Sequence, residues 1–116
     1  MITVDPQSAL PPGEQIRAQI EALVRSGELA ADARLPSVRQ LASDLRVAAG
    51  TVARAYKELE QAGLVRTGRA AGTRVNPGQA LAASALPEAD AFVAAARRAG
   101  LSLQEAQWTL ASRWKG

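Results

Sequence analysis

Hydrophobic positions in the first half of the chain recur at helical spacing in three separate runs. From Glu14 to Ser26, the side chains of Ile16, Ile20, Leu23 and Val24 fall on one helical face, and Gly27 follows as a C-cap. Pro36-Ser37 opens a second run. Ser37 can accept from the free amides of the first turn, Gln40 three residues later completes a capping box, and Val38, Leu41, Ala42 and Leu45 supply the apolar face. After a short break from Arg46 to Gly50, a third run places Val52, Ala55, Tyr56 and Leu59 on one face until Gly63 ends it. Two short helices a few residues apart predict a helix-turn-helix. On the third helix, Gly50, Arg54, Lys57 and Gln61 lie opposite the apolar stripe.

The period then shortens. Leu64 to Thr67 and Thr73 to Val75 are β-prone segments around the glycine-bounded turn Gly68-Arg69-Ala70-Ala71-Gly72, and Asn76-Pro77-Gly78 closes the hairpin. A hairpin after the second helix of such a pair is a wing. The small-residue stretch Gln79 to Leu86 reads equally as a linker or a weak helix.

Beyond it, Pro87, Glu88 and Asp90 start a fourth helix with Phe92, Val93 and Ala96 on one face and Gly100 at its end. Ser102 and Glu105 form a capping box for a fifth, with Leu103, Ala106, Leu110 and Trp114 on one face and Trp108 on another side. Two short helices cannot bury both tryptophans between themselves. The expected dimer contacts are therefore Phe92, Val93, Leu103, Trp108, Leu110 and Trp114, with a ligand site lined by the tryptophans as the alternative. The expected fold is mainly α with a small β-hairpin: a winged helix-turn-helix domain over residues 1–78 and a two-helix dimerisation tail over 79–116.

Composition narrows the chemistry. The chain has no histidine and no cysteine, so it lacks the common ligands of zinc, copper and iron, any disulfide, and the common nucleophile-base pairs. No cofactor, metal or enzymatic activity is expected, and Glu58 and Glu60 are better read as charged positions near a helix end than as a catalytic pair. No segment approaches the ~18 to 20 apolar residues of a membrane span and the start lacks a signal-type pattern, so a cytoplasmic protein without membrane contact is expected.

The net charge is only +3, but it is unevenly spread. Residues 1 to 38 carry Arg17, Arg25 and Arg34 against five acids, whereas residues 39 to 78 carry seven arginines or lysines against Asp44, Glu58 and Glu60. A cationic block concentrates polyanions around it and points to nucleic acid, with a solvated surface as the plainer alternative; joined to the winged helix-turn-helix, it makes double-stranded DNA the expected partner.

A helix laid in the major groove presents its first turns to base edges, which places Ala48, Ala49, Gly50, Thr51 and Arg54 there, with Lys57 one turn on. Arg39, in the first turn of the second helix, is a phosphate contact, and Arg69 at the hairpin tip reaches a phosphate or the minor groove. The plainer alternatives are a solvated Arg54, an ion pair of Arg39 with Asp44 or Glu60, and a solvated loop at Arg69.

Linked motifs add a resemblance. Leu35-Pro36-Ser37-Val38-Arg39-Gln40-Leu41-Ala42, Thr51-Val52, Ala55-Tyr56-Lys57-Glu58-Leu59-Glu60 and Gly63-Leu64-Val65 resemble the GntR family of transcription regulators, over about residues 9 to 75. Glu14-Gln15-Ile16, Ser26-Gly27-Glu28-Leu29 and Arg34 are similar to its first helix and turn. The short tail, with Ala96, Gly100-Leu101-Ser102-Leu103 and Glu105, resembles the YtrA-like subfamily.

The resemblance implies dimerisation through the tail and DNA contacts at Arg39, Thr51 and the wing around Arg69. Three departures stand out: Ala48-Ala49-Gly50 replaces a polar run that includes arginine in many members, Ala70-Ala71-Gly72 replaces a Gly-Arg-Gly order, and Pro12-Gly13 replaces an aliphatic-aromatic pair. They imply a changed base readout, in which Ala48 and Ala49 meet thymine methyls and Arg54 and Lys57 supply affinity. The expected function is a homodimeric regulator, a repressor on an inverted-repeat operator. The alternative, motivated by the alanine-rich start of the third helix, is a winged helix recruited for protein contact. No pattern identifies the operator or a small-molecule effector.

Overall fold

The computed structural model describes residues 2–81 and 85–115. In chain order the elements are α1 (Pro12–Ser26), α2 (Val38–Leu45), α3 (Ala49–Gln61), β1 (Val65–Gly68), β2 (Gly72–Val75), α4 (Leu86–Arg98) and α5 (Leu103–Arg113). Contacts divide the chain between Leu81 and Ala82 into two compact units. Within Gln79 to Leu86, residues 82–84 lie outside the described residues, so the choice between linker and helix is not decided there.

The ends of the elements follow local chemistry. α1 starts at Pro12, two residues before its apolar pattern, because a proline in the first turn lacks an N–H that would have no helical partner. Gly27 closes it in the left-handed conformation at φ 83°, its N–H donating to Val24 O at 3.1 Å. Ser37 caps α2 by accepting from Gln40 N at 3.1 Å. The expected reciprocal bond is absent, since the Gln40 amide donates to Asp44 Oδ1 at 2.8 Å instead.

α2 ends on Arg46, a non-glycine residue at φ 57°. Such a conformation costs of order 1 kcal/mol, and Val47 offsets it by donating to Ala42 O at 3.1 Å while packing against the core. α3 begins at Ala49, so Ala49 and Gly50 belong to its first turn rather than to the preceding break.

The core of the first unit is built from Ile16, Ile20 and Val24 of α1, Leu41 and Ala42 of α2, Val52, Ala55, Tyr56 and Leu59 of α3, and Leu64, Val65 and Val75 of the hairpin. These are the stripes that the periodicity predicts. Each fully buried isoleucine or leucine contributes roughly 1.5 to 3 kcal/mol.

One further core residue, Ile2, arrives through an N-terminal arm whose backbone is gripped by two glutamines one turn apart on α1. Gln19 exchanges a pair of bonds with Thr3, 2.9 and 2.6 Å. The buried Gln15 accepts from Asp5 N at 2.8 Å and donates to Asp5 O and Leu10 O at 3.0 and 2.8 Å.

β1 and β2 pair antiparallel with Val65 opposite Val75 and Gly68 opposite Gly72. The segment before α2 adds a short third edge: Val75 N donates to Ala33 O at 2.9 Å and Leu35 N to Thr73 O at 2.8 Å. The hairpin is thereby tied to the chain entering α2. Tyr56 ties α3 to the same place, donating its hydroxyl to Pro36 O at 2.7 Å.

In the second unit, Gly100 turns the chain at φ 75° after α4, and Leu101 N donates to Ala96 O at 3.0 Å. The capping box at the start of α5 is complete, with Glu105 N on Ser102 Oγ at 3.1 Å and Ser102 N on Glu105 Oε1 at 2.9 Å. These bonds favour the charged carboxylate and hold the Glu105 pKa below its ordinary value. Ala96 is buried and Phe92 half-buried, whereas Val93, Leu103, Trp108, Leu110 and Trp114 are exposed.

Burial pushes the phenol of Tyr56, the sole tyrosine, up to about 12. The unfolded chain releases this proton near pH 10 and the folded chain keeps it, so the stability it contributes is complete below pH 10 and is lost as pH rises to about 12. Denaturant titrations at stepped alkaline pH should show that loss, and Tyr56→Phe should remove the tyrosine part of it. At neutral pH the variant should be about 1 kcal/mol less stable, through the lost bond to Pro36.

Candidate nucleic-acid interface

α3 is held by one stripe and free on the other. Val52, Ala55, Tyr56 and Leu59 are buried, while Ala49, Gly50, Ala53, Arg54, Lys57 and Gln61 are exposed. Ala48 precedes the helix in extended conformation without a side-chain cap; Thr51 N donates to Ala48 O at 3.0 Å, and no side-chain oxygen caps the first turn. A Cβ at Gly50 would meet nothing within 4 Å, so internal packing does not require glycine there. Small residues at this end leave its backbone open to approach from outside.

Thr51 is half-buried against the start of α1, where a Cβ at Gly13 would lie 3.5 Å from its Cγ2. The Arg54 side chain is 85% exposed, and its Nε lies 3.9 Å from Glu58 Oε2. Thr51, Arg54 and Glu58 share a cleft of about 320 Å³ with Pro11, Gly13 and Glu14.

Arg39 is the second residue of α2 and is exposed. Both acids proposed as its ion-pair partners are engaged elsewhere: Asp44 accepts from Gln40, and Glu60 Oε2 accepts from Thr67 N at 3.1 Å. Among the described residues, Arg39, Lys57 and Arg69 enter no ion pair. Arg69 is exposed in the turn between β1 and β2.

The remaining wing arginines behave differently, which a count of charges could not reveal. Arg66 pairs with the Asp32 carboxylate and also donates to Val75 O at 3.1 Å and Asn76 Oδ1 at 3.3 Å. Arg74 donates to Asp32 O at 2.9 Å. Both are structural fasteners between the wing and the chain before α2.

The sequence reading did not place Arg34 beside the wing. A Cβ at Gly72 would come within 2.9 Å of Arg34 Nε, so the missing side chain at Gly72, itself at φ 70°, makes room for that guanidinium. The sequence pattern assigns Gly72 to the turn, and the structure makes it the first residue of β2, where a glycine lets another chain segment approach closely.

Residues 12–75 match the family described as bacterial regulatory proteins, gntR family. The chain belongs to the gntR family of bacterial regulatory proteins. It is 44% identical over 108 residues to the HTH-type transcriptional regulator Rv1152 of Mycobacterium tuberculosis, an alignment covering 90% of this chain and 87% of that protein. It is 42% identical over 76 residues to the HTH-type transcriptional repressor YtrA of Bacillus subtilis, covering 66% and 58% respectively.

Among solved structures, YtrA from Sulfolobus acidocaldarius, a GntR-family transcription factor, is similar with a TM-score of 0.61 and 32% identity, covering 82% of this chain and 97% of that one. The DNA-binding domain of AraR in complex with operator ORX1 is similar at a TM-score of 0.57 and 25% identity, covering 63% and 93%. The gntR-family chain is thus a transcription regulator with a mainly α fold and a two-stranded wing. Among its described residues no group of acids is arranged to hold a metal ion, and no helix is long and apolar enough to cross a membrane.

The division among the arginines gives a direct expectation for stability. Arg66→Ala should cost about 1 to 2 kcal/mol by removing a charged fastener, whereas Arg39→Ala and Arg69→Ala should each stay within about 0.5 kcal/mol of the parent. Urea denaturation of the three variants measures this. An Arg69 loss as large as that of Arg66 would show that the turn arginine also holds the wing.

Proposed function

We propose that this regulator is a homodimeric repressor that binds an inverted-repeat operator in double-stranded DNA, with α3 in the major groove. The observation that carries the reading is the position of the unspent cations. Arg39 at the start of α2, Lys57 on the outer stripe of α3 and Arg69 at the wing tip have no ion-pair partner among the described residues, and Arg54 has only a long one. Asp44 and Glu60 accept from Gln40 and Thr67 and neither pairs with Arg39, so its charge remains available to phosphate.

On this reading Ala48, Ala49, Gly50 and Thr51 form the close-approach end of α3, Arg54 reads a base edge, and Lys57, Arg39 and Arg69 contact backbone. The similarity to an AraR domain solved with its operator supports the docking mode, and the repressor named YtrA supports the sign of regulation. A cytoplasmic location follows from a DNA target.

The tail supports the dimer. Trp108 is 64% and Trp114 82% exposed in the single chain, with Leu103, Leu110 and Val93 also open to solvent. Such an apolar surface favours association, and a symmetric pair of chains matches a symmetric pair of half-sites. Phe92, half-buried, belongs to the same proposed contact.

Fluorescence anisotropy against DNA from upstream of the gene and a scrambled duplex, at several salt concentrations, tests the central reading. Sequence-dependent binding that weakens with salt is expected, and no binding at low salt would favour a protein-contact module instead. Arg54→Ala should weaken the preferred site by roughly 1 to 3 kcal/mol, while Arg69→Ala should weaken both duplexes and reduce the salt slope by about 1.

The dimer has its own test. Leu81 N donates to Arg25 O and Asn76 N to Leu64 O, so truncation after Leu81 preserves contacts that an earlier cut would remove. The truncated chain should be monomeric by analytical ultracentrifugation, and a persistent dimer would locate the interface outside the tail.

A further inference from the structure

We propose that Glu58 is a specificity-determining residue, whose carboxylate restrains Arg54 and yields it only to a partner better than a lone phosphate. The proposal rests on the DNA-binding reading above. Glu58 lies between two guanidiniums: Arg17 Nε of α1 is 3.9 Å from its Oε1, and Arg54 Nε is 3.9 Å from its Oε2. Arg17 is bound in turn to Glu21 at 2.8 Å, and Glu21 to Arg25 at 3.6 Å. The result is an alternating chain of charges from α1 to the outer face of α3, with the most exposed member, Arg54, at its open end.

The two sides of Glu58 differ in a way that suits a releasable restraint. The Arg17 side chain is 35% exposed and already held by Glu21, so it anchors the carboxylate from the α1 side. Arg54 is 85% exposed and precedes Glu58 by one turn, the weaker order for an oppositely charged pair on a helix. Contacts this long and exposed hold weakly. With Glu14, Glu58 also places negative charge in the cleft that Arg54 lines, so a phosphate approaching the guanidinium meets a carboxylate behind it.

Discrimination follows from the exchange. A phosphate on an arbitrary sequence offers Arg54 little more than the carboxylate it must leave, so little affinity results. A guanine edge offers two acceptors in bidentate geometry, which exceeds what Glu58 supplies. The carboxylate therefore lowers non-specific affinity more than specific affinity, a repulsive element that widens the difference between right and wrong sites.

The test uses the full chain, a duplex selected by it from a random pool, and a scrambled duplex of equal composition. Glu58→Gln should raise affinity for the scrambled duplex about two- to fivefold and affinity for the selected duplex by less, so the ratio between them falls. Glu58→Asp keeps the charge but is one methylene shorter, and should also lower the ratio. Neither substitution should alter the ratio in an Arg54→Ala background. Thermal melts verify that these exposed substitutions leave the fold intact.

Equal gains on both duplexes, an aspartate variant that behaves as the parent, or the same fall in ratio without Arg54 would each overturn the proposal. If the unsubstituted chain binds no duplex at low salt, the DNA-binding reading fails and this proposal with it. That failure is visible before any substitution is made.

Discussion

α3 is held by a single buried stripe, so that one contact has to orient the whole helix. The packing of Val52, Ala55 and Leu59 against Ile16 and Ile20 of α1 and the first hairpin strand meets that constraint, and the rest of the first unit is arranged around it. The Tyr56 hydroxyl adds direction to a contact that apolar packing would leave free to slide, since its bond to Pro36 O sets α3 against the entry to α2. That entry is in turn bonded to the wing through Ala33 and Leu35. The two helices and the wing are therefore positioned by one short stretch of backbone, residues 33 to 36, which itself belongs to no helix.

The same economy governs charge. A basic surface repels itself, and a domain that used all its arginines for an outside partner would lose stability in the free state. Here Arg66 and Arg74 fasten the wing base to Asp32, and Arg17 and Arg25 are both engaged by the Glu21 carboxylate of α1. The described cations in no ion pair include Arg39 at the start of α2, Lys57 on the outer stripe of α3 and Arg69 at the hairpin tip, together with Arg34, Arg46 and the cations of the tail. Internal pairing thus reduces self-repulsion while leaving Arg39, Lys57 and Arg69 free.

The helices were legible because their signals are local. A buried stripe at 3.6-residue spacing, a serine at the N-cap and a glycine beyond the C-terminus are each readable within a few residues, and Ile16, Ser37, Gly27 and Leu59 all occupy the expected environments. The N-terminal arm was not legible, since Gln15 and Gln19 resemble surface residues until the Thr3 and Asp5 backbone is brought beside them.

Gln40 shows the limit of a local motif. Its spacing from Ser37 fits a reciprocal cap, but Asp44, one turn on, competes successfully for its amide. Of the candidate DNA contacts, sequence could identify which residues are cationic, whereas the division between fasteners and free groups depends on partners more than thirty residues away, as with Arg66 and Asp32.

The tail makes the opposite compromise from α3. An isolated helix of eleven residues is marginal in water, and α5 has no buried residue of its own to stabilise it. Its capping box at Ser102 and Glu105 satisfies first-turn amides, but a cap is worth only about 1 kcal/mol. The apolar residues that could add more, Leu103, Leu110 and the two tryptophans, lie open to solvent. Helix order and apolar burial are consequently coupled in this segment: whatever covers the tryptophans also stabilises α5. A second copy of the chain would do both, making association part of the folding of the tail rather than a later event between finished surfaces.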